Sequence, residues 1–290
     1  MQLYPLLKEL AVDFDATLAR VAGIGIRRVE VPSFVLSGRT WTAVRQALDK
    51  QGLVCPSVHF GMTELLKDPE MSIAAAQAVG ARFVVCAAPW IRDVSRVRMS
   101  DLTNPLARFL AVIAALDLDD WRWNAGELNR IGEAVKSAGF QLAYHSHNFD
   151  FKRFGDVVAY DELLRLTDAD LVKLELDCGW VAVAGLDPVR YVREHPDRFA
   201  LLHARDYEPG FTPTTELTVR MIQLPEPARP AIIGHGIVDY PALIAAARRA
   251  GTLECFIERE PFAEMPILDA IEQDYRSLSG LVQADERIGG

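Results

Sequence analysis

The chain has 290 residues, half of them hydrophobic and 24% charged, a globular composition with enough apolar material for a large core. Its formal net charge of −9 and pI near 5.2 argue against routine binding to nucleic acid or an anionic membrane surface. No apolar run approaches the roughly 18–20 residues of a membrane span, and MQLYPLLKELAVDFD at the start has no signal-like core, so a cytoplasmic protein is expected.

Only QLY, residues 2–4, precedes the first helical pattern. The first strand is therefore expected to be stubby, or the natural start to lie upstream. Asp13 or Asp15 is placed to cap the helix that follows. That segment runs into VAGIG and then IRRVEV, an apolar run over 27–31 ending in Glu30. The pattern repeats: ALDKQG leads to a run over 54–59 ending in His59, and AAAQAVGA leads to 82–86. It returns in EAVKSAG before 140–145, and in AAARRAG before 254–259, where Asp239 marks the preceding helix start. A glycine that ends each amphipathic segment suits a left-handed C-cap. The Val-, Ile- and Leu-rich run after it suits a strand buried on both faces of a parallel sheet. Weaker units at 172–177 and 199–204 bring the strands to eight, with a last helix near 266–282.

Eight alternating units predict an α/β fold closed as a (β/α)8 TIM barrel, one domain over 1–290. No glycine-rich phosphate loop follows the first strand, which disfavours a dinucleotide-binding sheet. Segments 87–123 and 206–235 are too long for simple connections and should lie over the C-terminal mouth, where barrel sites are built. Cys55, Cys86, Cys178 and Cys255 are far apart and mostly inside apolar runs, as expected of buried thiols in a reducing compartment.

The strand ends carry the chemistry. They place Glu30, His59, His145 with His147, Glu175 with Asp177, His203 with Arg205 and Asp206, and Glu258 with Glu260 at one mouth. Residues two apart share a face of a strand, so 145/147, 175/177 and 258/260 are same-face pairs. Imidazoles and carboxylates converging there make a divalent metal site, and the spare groups can move protons. His195, in REHPDR, reads as a polar helix end, and His235, in IIGHG, as a loop residue.

These residues resemble the xylose isomerase-like TIM barrels, in particular the sugar phosphate isomerase/epimerase group with its inosose dehydratase-like and YHNH-type members. The resemblance runs through GIRRVEV, GARFVV, LNRIGEAVKSAGFQLAYHSHNFDF, LELDCGWVAVAGLDPVRYV, LLHARD, GHGIVDYPAL and IERE. It implies one divalent ion, manganese, zinc, cobalt or magnesium, held by His145, Asp177, His203 and Glu258. Many relatives have Glu at the position of His145, and that Glu shares proton transfer with the last-strand Glu. The His puts a two-glutamate mechanism in doubt, so His147 is the expected base, with Glu258 or Glu260 as proton partner. EPF at 260–262 would alternatively make Glu260 the ligand; Glu258 is preferred and Glu260 assigned to catalysis.

Glu30, His59, Glu175, Trp180 and Arg205 are expected to hold substrate, with Trp90, Trp121 and Trp123 lining or covering the pocket and Asp150 a weak site candidate. The implied activity is a metal-dependent isomerase/epimerase in carbohydrate metabolism, acting on a sugar or keto-sugar through a metal-bound enediolate. The alternative is a lyase or dehydratase on a keto-sugar or keto-inositol, with room for a homo-oligomer or a partner subunit. A repair endonuclease of the same barrel type is disfavoured by the acidic charge and by only six histidines. A non-catalytic sensor would have lost ligands that are all present here.

Overall fold

The computed structural model describes residues 1–36, 38–102, 104–216, 228–260 and 265–289. Seven strands, β1 (Arg28–Pro32), β2 (Val54–Phe60), β3 (Phe83–Cys86), β4 (Gln141–His145), β5 (Val172–Asp177), β6 (Phe199–Ala204) and β7 (Glu254–Ile257), pair in chain order. Every neighbour pairing is parallel.

The eighth stave is the start of the chain. Gln2 forms a parallel bridge with Glu30. Its N–H donates to Ile257 O at 2.9 Å, while Leu3 N–H reaches Glu30 O at 3.0 Å. The barrel thus closes between β7 and β1, but the expected strand at 2–4 is reduced to a single bridge. The chain turns into a 3₁₀ helix at Tyr4–Leu6, where Pro5 has no N–H to give a ladder.

The local signals act as their chemistry dictates. Asp13 accepts from Ala16 N at 2.9 Å and caps Phe14–Ile24; Asp239 accepts from Ala242 N at 3.0 Å and caps Tyr240–Arg249. The five glycines that close the amphipathic segments, Gly25, Gly52, Gly80, Gly139 and Gly251, all have φ between 67° and 108°, a region costly for any residue with a β-carbon. The last helix, Ile267–Gly289, outruns its expected end. No helix among the described residues is long and apolar enough to cross a membrane.

Strand parity sorts the inner face. Phe83, Val85, Ala143, Leu201 and Phe256 form an apolar cluster apart from the main core, two residues below polar positions such as His145, His203 and Glu258. This cluster is the barrel's plug; burying each Phe contributes roughly 1.5–3 kcal/mol. One expectation is corrected: Cys55, Cys86 and Cys178 are buried, but Cys255, beside the inward Phe256 on β7, is exposed.

Candidate active site

Above the plug, the inward positions of seven of the eight staves turn polar, β3 excepted: Gln2, Glu30, Ser57, His59, His145, Glu175, Asp177, His203 and Glu258 are all under 9% exposed. Parallel pairing sets His145 beside Glu175 and Asp177 beside His203. Two tiers result.

The upper tier is His145, Asp177, His203 and Glu258, which offer one donor atom each, all within 4.8 Å of one another. Asp177 Oδ1 accepts from Trp180 N at 2.9 Å, and Asp177 N–H donates to Ser146 Oγ at 3.1 Å. Asp177 Oδ2 is buried and receives no hydrogen bond. Arg205 Nε is 2.8 Å from it, forming an ion pair but off the direction an N–H bond requires. Burial pushes the Asp177 carboxyl upward, against the pull of Arg205. His203 Nδ1 is 2.6 Å from Glu258 Oε2 and 4.0 Å from Asp177 Oδ2. Burial opposes ionisation of Glu258, but Arg205 and His203 overcome it and hold that carboxyl well below its usual range. Burial, reinforced by His203, lowers His145 to about 4, so its ring is neutral and free to donate a lone pair. Two nitrogens and two carboxylate oxygens, with Asp177 Oδ2 receiving no hydrogen bond, fit a borderline divalent ion such as zinc, cobalt or manganese.

The lower tier is built on two fully buried carboxylates. Glu30 accepts from Gln2 Nε2 at 2.7 Å and from Ser57 Oγ, and lies 2.9 Å from His59 Nε2 and 2.7 Å from His203 Nε2. Glu175 Oε2 lies 2.8 Å from His59 Nε2, 2.9 Å from His145 Nδ1 and 3.3 Å from His203 Nε2. Neither glutamate lines the cavity. Their expected contact with substrate hydroxyls is therefore corrected: they lie beneath the histidines and orient them. Against its burial, Glu30 and Glu175 raise His59 to about 9. His59, His145, Glu175 and His203 also make a second four-donor group, but it shares two histidines with the upper tier. An Nε2–H given to Glu30 leaves the His203 Nδ1 lone pair facing Asp177 and Glu258, the carboxylate–histidine relay common behind metal ligands.

His147 stands on the cavity wall. Its ring stacks on Phe149 with centroids 5.0 Å apart and meets His145 edge-on at 4.8 Å. Its Nδ1 is buried without a hydrogen-bond partner, and burial holds its pKa well below the ordinary imidazole value. Asp150 does not line the cavity; Oδ2 accepts from His147 N at 3.0 Å and Tyr144 Oη at 3.1 Å, pinning the turn that presents His147.

Arg205 is committed three ways. It pairs with Asp177, with Glu258 Oε2 at 2.6 Å and with Glu260 Oε1 at 2.7 Å, and lies 5.1 Å over the Trp180 ring. It also lines the cavity, where it was expected to hold substrate hydroxyls. Gly179 makes this placement possible, since a β-carbon there would lie 2.2 Å from Arg205 Cγ. Glu260 lines the cavity, and burial raises its carboxyl pKa.

The cavity encloses about 670 Å³. Trp90 and Trp180 line it as expected, with His59 at its floor. Trp121 and Trp123 do not: they sit on Leu118–Ser137, Trp121 buried in the core. His235 is exposed and off the wall, and His195 is a helix C-cap. Asp206 serves structure, accepting from the N–H groups of Gly234, Gly236 and Val238. Tyr4, Phe34, Phe60, Phe109 and Phe149 on the wall were missed, because they come from separate short helices, a helix and a strand end, and form no periodic pattern.

The xylose isomerase-like TIM barrel model matches residues 18–279. Inosose dehydratase from Lacticaseibacillus casei is 31% identical over 88 residues, 30% of this chain and 29% of the relative, so the chain spans about three-tenths of the length of the curated relatives it matches. A solved sugar phosphate isomerase/epimerase from Parabacteroides distasonis superposes with TM-score 0.70 at 22% identity, over 97% of this chain and 94% of the other. The IolI protein with a bound zinc atom superposes with TM-score 0.65 at 11% identity, over 93% and 92%.

Proposed function

We propose that this chain, which belongs to the xylose isomerase-like TIM barrel family, is a divalent-metal-dependent isomerase or epimerase of a sugar or keto-sugar. The observation that carries the proposal is a neutral His147 on the cavity wall, its ring 4.8 Å from that of His145, beside the four-donor set. His145, Asp177, His203 and Glu258 would hold the ion, which when bound polarises a substrate oxygen and acidifies the neighbouring C–H. The neutral imidazole of His147 takes that proton, leaving an enediolate. Trp180 and His59 border the substrate, and Arg205 balances the negative charge of Asp177, Glu258 and Glu260. The proton is returned from His147 by way of Glu260, whose pKa burial raises against the pull of Arg205. Delivery to carbon completes isomerisation or epimerisation.

A second reading is a lyase or dehydratase on a keto-sugar or keto-inositol, in which Glu260 passes that proton to a departing β-oxygen. Two observations favour it: the likeness to inosose dehydratases, and His145 where a second carboxylate would share proton transfer. Metal-loaded protein incubated with ketoses in heavy water separates the readings. Deuterium entering the carbon skeleton without loss of water supports isomerisation or epimerisation, and a dehydrated or cleaved product supports the lyase. Absence of exchange on every candidate, with His147→Ala behaving as wild type, would sink both.

A further inference from the structure

We infer that the site takes an unphosphorylated sugar bearing an apolar, planar substituent, an aryl glycoside in chemical class; this rests on the sugar reading of the same cavity. The cavity has two chemistries at two heights. Its floor is polar, with His59, His145, His147, Arg205, Glu258 and Glu260. Its upper wall is aromatic. Tyr4 and Phe34 are 41% and 60% exposed and meet edge-to-face at 5.9 Å. Across from this pair, Phe109 meets Phe149 edge-on at 6.3 Å, next to Trp90. A sugar can lay its C–H face on one such ring, and a planar apolar substituent extends the cover to more of them. Tyr4 and Phe34, left open to solvent on the cavity wall, gain from an apolar face laid against them. The volume of about 670 Å³ lies well inside the roughly 300–1,000 Å³ range of sites for drug-sized ligands.

The same wall refuses a phosphate. Among the described lining residues the basic side chains are Arg205, already held by Asp177, Glu258 and Glu260, and three histidines, of which His59 is held by Glu30 and Glu175. Glu64 lines the cavity as a further carboxylate, and its Oε2 accepts from Gly61 N at 2.7 Å, occupying the N–H an anion would seek. Apart from an ion held by the four-donor set, a dianion there meets three glutamates and no arginine or lysine that is not already paired.

The test is calorimetric titration of the metal-loaded protein with phenyl β-D-glucopyranoside, D-glucose and D-glucose 6-phosphate. The phenyl glucoside is expected to bind roughly tenfold to a hundredfold more tightly than glucose, with the phosphate weakest. In Phe34→Ala and in Phe109→Ala the ratio of phenyl glucoside to glucose affinity falls toward one. Equal affinities, no binding of the phenyl glucoside, a preference for the phosphate, or an aryl preference untouched by both substitutions overturns the inference. An aryl preference without proton exchange in heavy water leaves the substrate class standing and removes the reaction. Exchange on free ketoses without aryl preference does the reverse.

Discussion

Replacing Glu30 with Gln tests whether the lower tier sets the metal affinity of the upper one. Glu30 Oε1 is 2.7 Å from His203 Nε2 and 2.9 Å from His59 Nε2, and Gln2 and Ser57 donate to the same carboxylate. The substitution keeps size and one acceptor but removes the charge that fixes the His203 tautomer. A hydrogen bond to a charged partner contributes about 1.5–3 kcal/mol, and each 1.4 kcal/mol is about tenfold in affinity. The metal dissociation constant should therefore rise roughly tenfold to a hundredfold, the range usual for residues behind a ligand. Competition of the apo variant with a chromophoric zinc chelator measures it directly, with thermal unfolding of both apo proteins to separate a folding defect. An unchanged zinc affinity in a well-folded variant would refute the idea that Glu30 orients His203.

Other outcomes follow from the same geometry. His147→Gln should abolish deuterium exchange into substrate while zinc affinity stays within about threefold of wild type, since a ring outside the donor set contributes little to it; both are measurable on one preparation. Gly179→Ala should displace Arg205, whose Cγ would lie 2.2 Å from the new β-carbon, and destabilise the fold by roughly 1–3 kcal/mol by urea unfolding. Stripping the metal from protein held at 100 times its dissociation constant should remove about 2.7 kcal/mol of stability, a fall in Tm of about 4 °C for a chain this long; an unchanged Tm would count against a resident ion. Asp274 gives a pH signature. Burial pushes its pKa up to about 6 although Arg259 pulls it down, so the folded chain binds more protons than the unfolded one between about pH 4 and 6. Its contribution is therefore largest at low pH and is lost as pH rises through 6. Asp274→Asn should flatten that part of the stability profile relative to wild type.

The barrel was legible because its punctuation is local. A glycine that must adopt positive φ, as at Gly25 or Gly80, marks a helix end whatever surrounds it, and the apolar run beyond can only be a strand buried on both sides. Period-two parity likewise gave the same-face pairs 145/147, 175/177 and 258/260, and the family resemblance singled out His145, Asp177, His203 and Glu258. Parity names a face but not a height. Glu175 and Asp177 share a face, yet a two-residue step is about 6.6 Å along a strand, which puts Glu175 beneath the histidines and Asp177 among the ligands. That height depends on the stagger between strands, including the register shift between β5 and β6, which no single segment encodes. The commitment of Arg205 to three carboxylates and the aromatic rim arise from segments far apart in sequence, so neither left a pattern to read.

The apolar plug of Phe83, Val85, Ala143, Leu201 and Phe256 makes the site a compartment with one door. Among the described residues the plug closes the floor beneath the four-donor set, so an ion held there would be reached through the cavity above. On the proposed function the ion would enter first, the substrate would sit over it, and the ion would leave only after the product had gone. A saturated enzyme should hold its metal against a chelator for far longer than a resting one, so the substrate itself serves as the lid on the metal.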